Sequence, residues 1–216
     1  MIRRPSSRRL LLAGACAILA PVALPLRRVR AATLVATPQQ TEGPYYPLAF
    51  PADSDNDLVQ VRGQAAQAIG TILHLQGRVL DTDGRPLDGA LVEIWQSDSN
   101  GIYDHPGQSG REKRDRAFQG YGRVLADAEG RYSFRTLKPV PYAGRPGAHI
   151  HLKAAGAGYH LTSQLYIAGE PGNEQDFLYR AATRDPQQRE RVEMRLAPAN
   201  GLEPGAFATS LDIVIG

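Results

Sequence analysis

The 216-residue sequence has a single cysteine, Cys16, and it lies in a segment with the features of a removable leader. Once that segment is cleaved, the chain has no disulfide, no thiolate nucleophile and no cysteine-based zinc or iron–sulfur site. No phosphate-binding loop is present, and Gly120-Tyr121-Gly122 stops short of a full GxGxxG, so a nicotinamide or flavin cofactor is not indicated. A Gly-x-Ser-x-Gly elbow is also missing. There is no internal repeat, no sign of a second domain and almost no helical periodicity. Residues 1–31 contain no acidic residue but hold seven arginines (3, 4, 8, 9, 27, 28 and 30). Without those seven, the 25 basic residues become 18 against 22 acidic ones, so a body of net charge −4 underlies the formal +3. A mildly acidic body gives no electrostatic support to nucleic-acid binding.

The arginines belong to an export signal expected over residues 1–32. Arg8-Arg9 is a twin-arginine pair followed at once by an apolar run that extends to about Leu26 and is broken by Pro21 and Pro25. Arg27-Arg28-Val29-Arg30-Ala31-Ala32 closes it, with small residues for cleavage near Ala31 or Ala32. A transmembrane anchor is the alternative, but the run is shorter than the ~20 apolar residues a span needs. In Leu12-Ala13-Gly14-Ala15-Cys16 the leucine stands one place too far from the cysteine for a lipoprotein box. The expectation is a twin-arginine-exported protein, periplasmic or extracellular, with no membrane association after leader removal. Its composition, 22% charged and 42% hydrophobic, is that of an ordinary soluble domain.

Residues 33–70 are rich in Pro, Gly, Asp and Gln and read as an N-terminal arm with loops. From residue 71 to 216 the pattern is one of short strands. Thr71 to Leu80 alternates and runs into Asp81-Thr82-Asp83-Gly84-Arg85-Pro86, a turn. Ala90 to Gln96 is a second strand, and a long polar loop, 97–119, follows. Further strands are expected over Val124 to Ala126, Tyr132 to Leu137, Ala148 to Ala154, Leu161 to Ala168, Arg191 to Leu196 and Ala206 to Ile215. Only 173–181 reads as helix, with Asn173 as N-cap. Seven to nine short strands without a βαβ alternation indicate an all-β fold, an antiparallel β-sandwich with long loops and little helix. The 97–119 loop is longer than connections usually are, and such loops are often functional.

His149-Ile150-His151 carries the chemistry. Residues i and i+2 of a strand share a face, so the two imidazoles point to one site while Ile150 and Leu152 point into a core. Tyr142 lies seven residues before His149, and Tyr103 stands at the start of the long loop. Phenolate is a hard anionic donor that suits Fe(III). Taken singly, each tyrosine is equally an amphipathic aromatic with a wet hydroxyl, and each histidine a satisfied core partner. Arg145 is either a surface charge or a stabiliser of anionic substrate. Gln164, polar in an apolar alternation, needs a hydrogen-bonding reason. His74, His105 and His160 are left over, and His105 is close enough to Tyr103 to compete as a ligand.

Seven segments in order resemble the intradiol ring-cleavage dioxygenases, the family that contains protocatechuate 3,4-dioxygenase and catechol 1,2-dioxygenase. They are Thr41-Glu42-Gly43-Pro44-Tyr45-Tyr46, Gly77-Arg78-Val79-Leu80, Val92-Glu93-Ile94-Trp95-Gln96, Gly101-Ile102-Tyr103, Gly130 to Thr136, Lys138-Pro139-Val140-Pro141-Tyr142 and Ala148-His149-Ile150-His151. The resemblance implies a non-haem Fe(III) held by Tyr103, Tyr142, His149 and His151, with Tyr142 the ligand that substrate displaces. It implies catalytic roles for Tyr142, Arg145 and Gln164, and cleavage of a catechol by O2 between its hydroxylated carbons to a cis,cis-muconate. One departure concerns Arg145, which stands four residues before His149 where the family arginine stands three before, so Gly147 reads as an inserted residue. The helical N-terminal region of catechol-type members is missing, and the short frame is similar to protocatechuate-type subunits. Those form two-subunit pairs in which one partner keeps the ligands; this chain keeps all four, as expected of a chain acting alone or as a homo-oligomer.

Two other readings compete. A non-catalytic transthyretin-like binding module explains the strands but not the histidine pair with Tyr142. A zinc or copper site on His149 and His151 lacks an evident carboxylate partner.

Overall fold

The computed structural model describes residues 33–216; the export signal expected over 1–32 lies outside them. The described elements, in chain order, are β1 (Ile72–Asp81), β2 (Leu91–Trp95), β3 (Tyr121–Leu125), β4 (Arg131–Leu137), β5 (His149–Gly156), β6 (Tyr159–Ile167), α1 (Phe177–Ala182), α2 (Pro186–Glu190), β7 (Glu193–Met194), β8 (Ala197–Pro198), β9 (Phe207–Ser210) and β10 (Ile213–Ile215). No described helix is long and apolar enough to cross a membrane.

The strands form two five-stranded sheets. In the first, β1 pairs with β4 on one edge and with β9 and then β10 on the other, while β8 flanks β9. In the second the order is β3-β2-β5-β6-β7. Leu73, Leu75, Val79, Phe134 and Ile213 of the first sheet share one buried core with Val92, Ile94, Ile150, Leu152 and Leu165 of the second. This is the all-β sandwich expected from the alternation, with two mixed sheets in place of purely antiparallel ones. The pairs β1–β9, β1–β10 and β6–β7 are parallel.

The C-terminal run splits in two because it changes partner position along β1 at Leu211-Asp212. Leu211 N–H donates to Gln76 C=O at 2.8 Å, and Tyr132 O–H donates to Leu211 C=O at 2.7 Å. That carbonyl lies 1.9 Å from where a Cβ on Gly77 would stand, so only glycine admits the crossing. The expected 173–181 helix is shorter. Asn173–Gln175 is a 3-10 turn, and α1 starts at Phe177 with Asp176 as its N-cap. Asn173 instead donates its side-chain amide to Ile167 C=O at 2.8 Å. Helix α2 escaped the sequence reading, although its Asp185-Pro186 start has the expected cap chemistry. β3 begins at Tyr121, three residues ahead of the expected Val124.

The arm from residue 33 crosses both sheets before the sandwich begins. Leu34 N–H donates to Thr82 C=O at 2.7 Å, Thr37 to Val214 at 2.9 Å and Gln40 to Thr162 at 2.8 Å. Farther on, Tyr45 and Tyr46 pack on Trp95, Tyr103 and Tyr121. The arm therefore covers the outer face of the second sheet, and β5 is buried on both faces around its two histidines.

Candidate metal centre

β5 carries His149 and His151 outward, and Ile150 and Leu152 inward to the core. Register sets their neighbours: His151 lies opposite Trp95 on β2 and Gln164 on β6, and His149 lies opposite Tyr166. The imidazole centroids are 4.8 Å apart. Tyr142 enters from the loop before β5, where Tyr142 and Arg145 exchange both backbone hydrogen bonds, at 3.1 and 2.9 Å. Its ring lies 5.4 Å from that of His149. Tyr103 comes from the 97–119 loop, with its ring 5.3 Å from Tyr142 and 6.0 Å from His151. Asp98 holds that loop, its carboxylate accepting N–H groups of Asn100 at 2.9 Å, Ile102 at 3.0 Å and Asp115 at 2.6 Å. Four of the expected ligand side chains are thus brought together from three segments.

Three of their polar atoms lack any partner. His151 Nδ1 and Nε2 and the Tyr103 hydroxyl are buried and make no hydrogen bond. His149 Nδ1 bonds Gly147 C=O at 2.6 Å, which puts the proton on Nδ1 and turns the Nε2 lone pair toward the Tyr142 hydroxyl, 3.4 Å away. Buried polar groups are normally satisfied, so orphans gathered at one point fit a bound cation. Burial, then the charge of Arg145, lowers His149 to about 4. Burial, then His149, lowers His151 well below its usual value. Both rings are therefore neutral at pH 7, the state that binds a metal. Burial raises the Tyr103 phenol well above 10 and raises Tyr142 as well, while Arg145 opposes the shift at Tyr142. A bound cation inverts that balance for a phenol. Among the described residues no group of three or more His, Cys, Asp or Glu is placed to hold a metal, and the polar side chains beside the two imidazoles are the phenols of Tyr103 and Tyr142.

Arg145 and Gln164 meet beside the centre, with Arg145 Nη2 donating to Gln164 Oε1 at 2.8 Å. Both are buried. Gly147 links the Arg145 segment to both neighbours: its N–H donates to Asp176 at 3.3 Å and its carbonyl takes His149 Nδ1. His105 stands outside the group, its Nδ1 accepting Gly107 N–H at 3.0 Å and its ring 5.7 Å from that of Tyr45. His74 pairs with Glu203 at 3.1 Å, and His160 lies opposite Ala155.

Sequence reasoning missed several residues that shape the site. Trp95 stacks on His151 at 4.7 Å, and Tyr45 of the arm stacks on Tyr103 at 4.7 Å. Tyr166 O–H bonds Gln40 at 2.9 Å and Gln164 at 3.0 Å. Asp176 binds Arg145 Nε at 2.7 Å. Trp95 and Tyr45 lie in segments that carry the family resemblance, whereas Asp176 falls inside the helix expected over 173–181, whose cap is expected at Asn173.

Comparison with known proteins identifies the family. The dioxygenase family profile matches residues 41–203. The protocatechuate 3,4-dioxygenase beta chain of Burkholderia cepacia is 33% identical over 169 residues, which cover 74% of this chain and 71% of that one. Catechol 1,2-dioxygenase of Acinetobacter baylyi is 33% identical over 168 residues, 69% of this chain but 51% of that enzyme, so the chain spans about half the length of this relative. Among solved structures, the dioxygenase domain of a dioxygenase–carbohydrate-binding protein fusion from the cellulolytic bacterium Streptomyces sp. SirexAA-E superposes with a TM-score of 0.64 at 31% identity, covering 83% of this chain and 97% of that domain. With the profile running from the arm to beyond β8, the chain belongs to the intradiol ring-cleavage dioxygenase family.

Proposed function

We propose that this chain is a non-haem Fe(III) dioxygenase that opens a catechol-type substrate, protocatechuate or a related catechol, with O2 between its two hydroxylated carbons to give a cis,cis-muconate. The observation that carries the reading is the convergence of two neutral imidazoles and two phenols, with both His151 nitrogens and the Tyr103 hydroxyl buried and unpartnered. Tyr103, Tyr142, His149 and His151 would hold the iron. Fe(III) supplies Lewis acidity and a template for substrate.

The chain's own residues divide the remaining work. Tyr103 is buried and capped by Tyr45, so it is the fixed phenol. Tyr142 is half-buried on a tight turn and is the phenol free to move. On leaving, its oxygen accepts a proton from a substrate hydroxyl. Arg145 and Gln164 stabilise negative charge on the substrate ring. The catalytic unit in this reading is the sandwich of residues 71–216, with the arm of 33–70 excluding water from its outer face. The leader expected over 1–32 places the activity outside the cytoplasm, on aromatics such as lignin fragments. A chain that keeps all four donors works alone or as a homo-oligomer.

The test is O2 uptake by the iron-loaded mature protein with catechol and with protocatechuate, together with product analysis. The reading expects one O2 per substrate and a ring-opened dicarboxylate. Wild-type turnover by an iron-replete His149→Ala variant, or no uptake with any catechol, contradicts it.

A further inference from the structure

Asp176 is fully buried, and the mechanism above makes no use of it. As the N-cap of α1 it accepts N–H groups of Leu178 at 3.0 Å and Tyr179 at 3.2 Å, both on Oδ1. Asn or Ser would serve a cap equally well. The carboxylate does more than that. Oδ2 accepts Arg145 Nε at 2.7 Å and Gly147 N–H at 3.3 Å, and Oδ1 also accepts Arg145 Nη2 at 3.2 Å. A two-point contact between carboxylate and guanidinium fixes the plane of the guanidinium as well as its position.

The same Nη2 reaches Gln164 Oε1 at 2.8 Å and the Tyr166 hydroxyl at 3.3 Å. Nε and Nη2 are thereby committed to protein. Nη1 makes no hydrogen bond to any described residue, so its two N–H groups remain for a ligand. Gly147 extends the network toward the centre: its N–H is held by Asp176, and its carbonyl holds His149 Nδ1.

We propose that Asp176 is a positioning residue for ring cleavage: it clamps Arg145 through Nε and Nη2, so that Nη1 meets the anionic oxygen of the bound catechol. The inference rests on the dioxygenase reading of the site. It assigns Asp176 no contact with substrate or metal. Its effect passes through Arg145, and that dependence separates it from a helix cap.

The test uses Asp176→Asn in the full mature chain, alone and combined with Arg145→Ala. Asparagine keeps the cap acceptor and the volume but places an amide donor against the donors of Arg145 and Gly147. Four quantities are read: iron content, the tyrosinate-to-Fe(III) band without substrate, the anaerobic dissociation constant for catechol, and kcat. The proposal expects iron and band to be retained, while kcat over dissociation constant falls about 10–100-fold, as when an outer hydrogen-bond partner is lost. In the Arg145→Ala background the same substitution adds nothing beyond about twofold, because the two residues act as one unit. Wild-type catechol binding and turnover in Asp176→Asn overturns the proposal, as does a full multiplicative loss in the Arg145→Ala background. Should Asp176→Asn fail to fold, Asp176→Ser keeps the cap and is read in the same way. If the iron-loaded wild type shows no band, the dioxygenase reading fails and this inference with it. If the wild type is coloured and active but the two losses multiply, the positioning role alone fails.

Discussion

The indole of Trp95 lies flat against the imidazole of His151, with ring centroids 4.7 Å apart and planes 13° from parallel. Neither His151 nitrogen has a hydrogen-bond partner to orient the ring. Packing does that work instead: the indole on one face, with the rings of Tyr103 and His149 meeting it edge-to-face at centroid distances of 6.0 and 4.8 Å. Trp95→Leu is therefore expected to leave the sandwich folded and to weaken iron binding about 10–100-fold, the usual effect of losing a group that orients a ligand. Chelator competition measures it. Unchanged affinity would mean that the ring is held by something other than the indole.

The two phenols differ in exposure, and the difference separates their variants. Tyr103 is 2% exposed, while Tyr142 is half-buried beside His149. Tyr103→Phe is expected to lose both iron and the visible band. Tyr142→Phe is expected to keep iron and lose turnover by at least about 100-fold, the scale of a missing proton acceptor. Metal analysis of each variant, alongside stopped-flow turnover, checks the pair. Equal iron loss in both would remove the distinction.

Acid should destabilise the metal-free protein at a specific place on the pH scale. The unfolded chain protonates histidine near its ordinary value of 6.5, whereas folded His149 resists protonation down to about 4. Between these values the unfolded state binds more protons, so stability is full above about pH 6.5 and falls as pH drops toward 4. Converted at 1.36 kcal/mol per pH unit, His149 alone contributes roughly 3 kcal/mol. His151 shifts in the same direction and adds to the loss. Asp176 and Glu203 are also held low: at Asp176 burial opposes the shift and the Arg145 contacts prevail, while at Glu203 the Arg135 hydrogen bond dominates over burial. These carboxylates act only at lower pH, with stability lost as they protonate. The melting temperature of chelator-treated protein against pH is the check, and a flat profile from 6.5 to 4 contradicts it.

Gly77 tests the fold apart from the site. A Cβ there meets the Leu211 carbonyl at 1.9 Å, and that carbonyl is also held by Tyr132 O–H. Gly77→Ala is expected to cost about 1–3 kcal/mol by overpacking. At this chain length that lowers the melting temperature by roughly 2–4 °C per kcal/mol. An unchanged melting temperature would show that the β9–β10 crossing shifts freely.

What could be read from sequence was what depends on local period. His149 and His151 share a face because a strand repeats every two residues, and Ile150 and Leu152 mark the core by the same rule. The turn around Gly84 and the long 97–119 loop were visible for similar reasons. Residue patterning did not carry strand direction: β9 and β10 read like any other short strand, and their parallel pairing with β1 depends on where the C-terminal chain returns. Two-residue strands such as β7 and β8 are too short to show a period. In the centre, Tyr103 joined the histidines through family resemblance rather than spacing. Asp176 meets Arg145, and Gln40 meets Tyr166, from segments far apart in sequence, and no local pattern joins them.

The most direct measurement is the visible absorption spectrum of the iron-loaded mature protein, before and after catechol is added without oxygen. Phenolate ligation by Tyr103 and Tyr142 predicts a broad tyrosinate-to-Fe(III) band that shifts when catechol binds. A protein that remains colourless after iron loading, or a band indifferent to catechol, would contradict the ligand set on which the account depends.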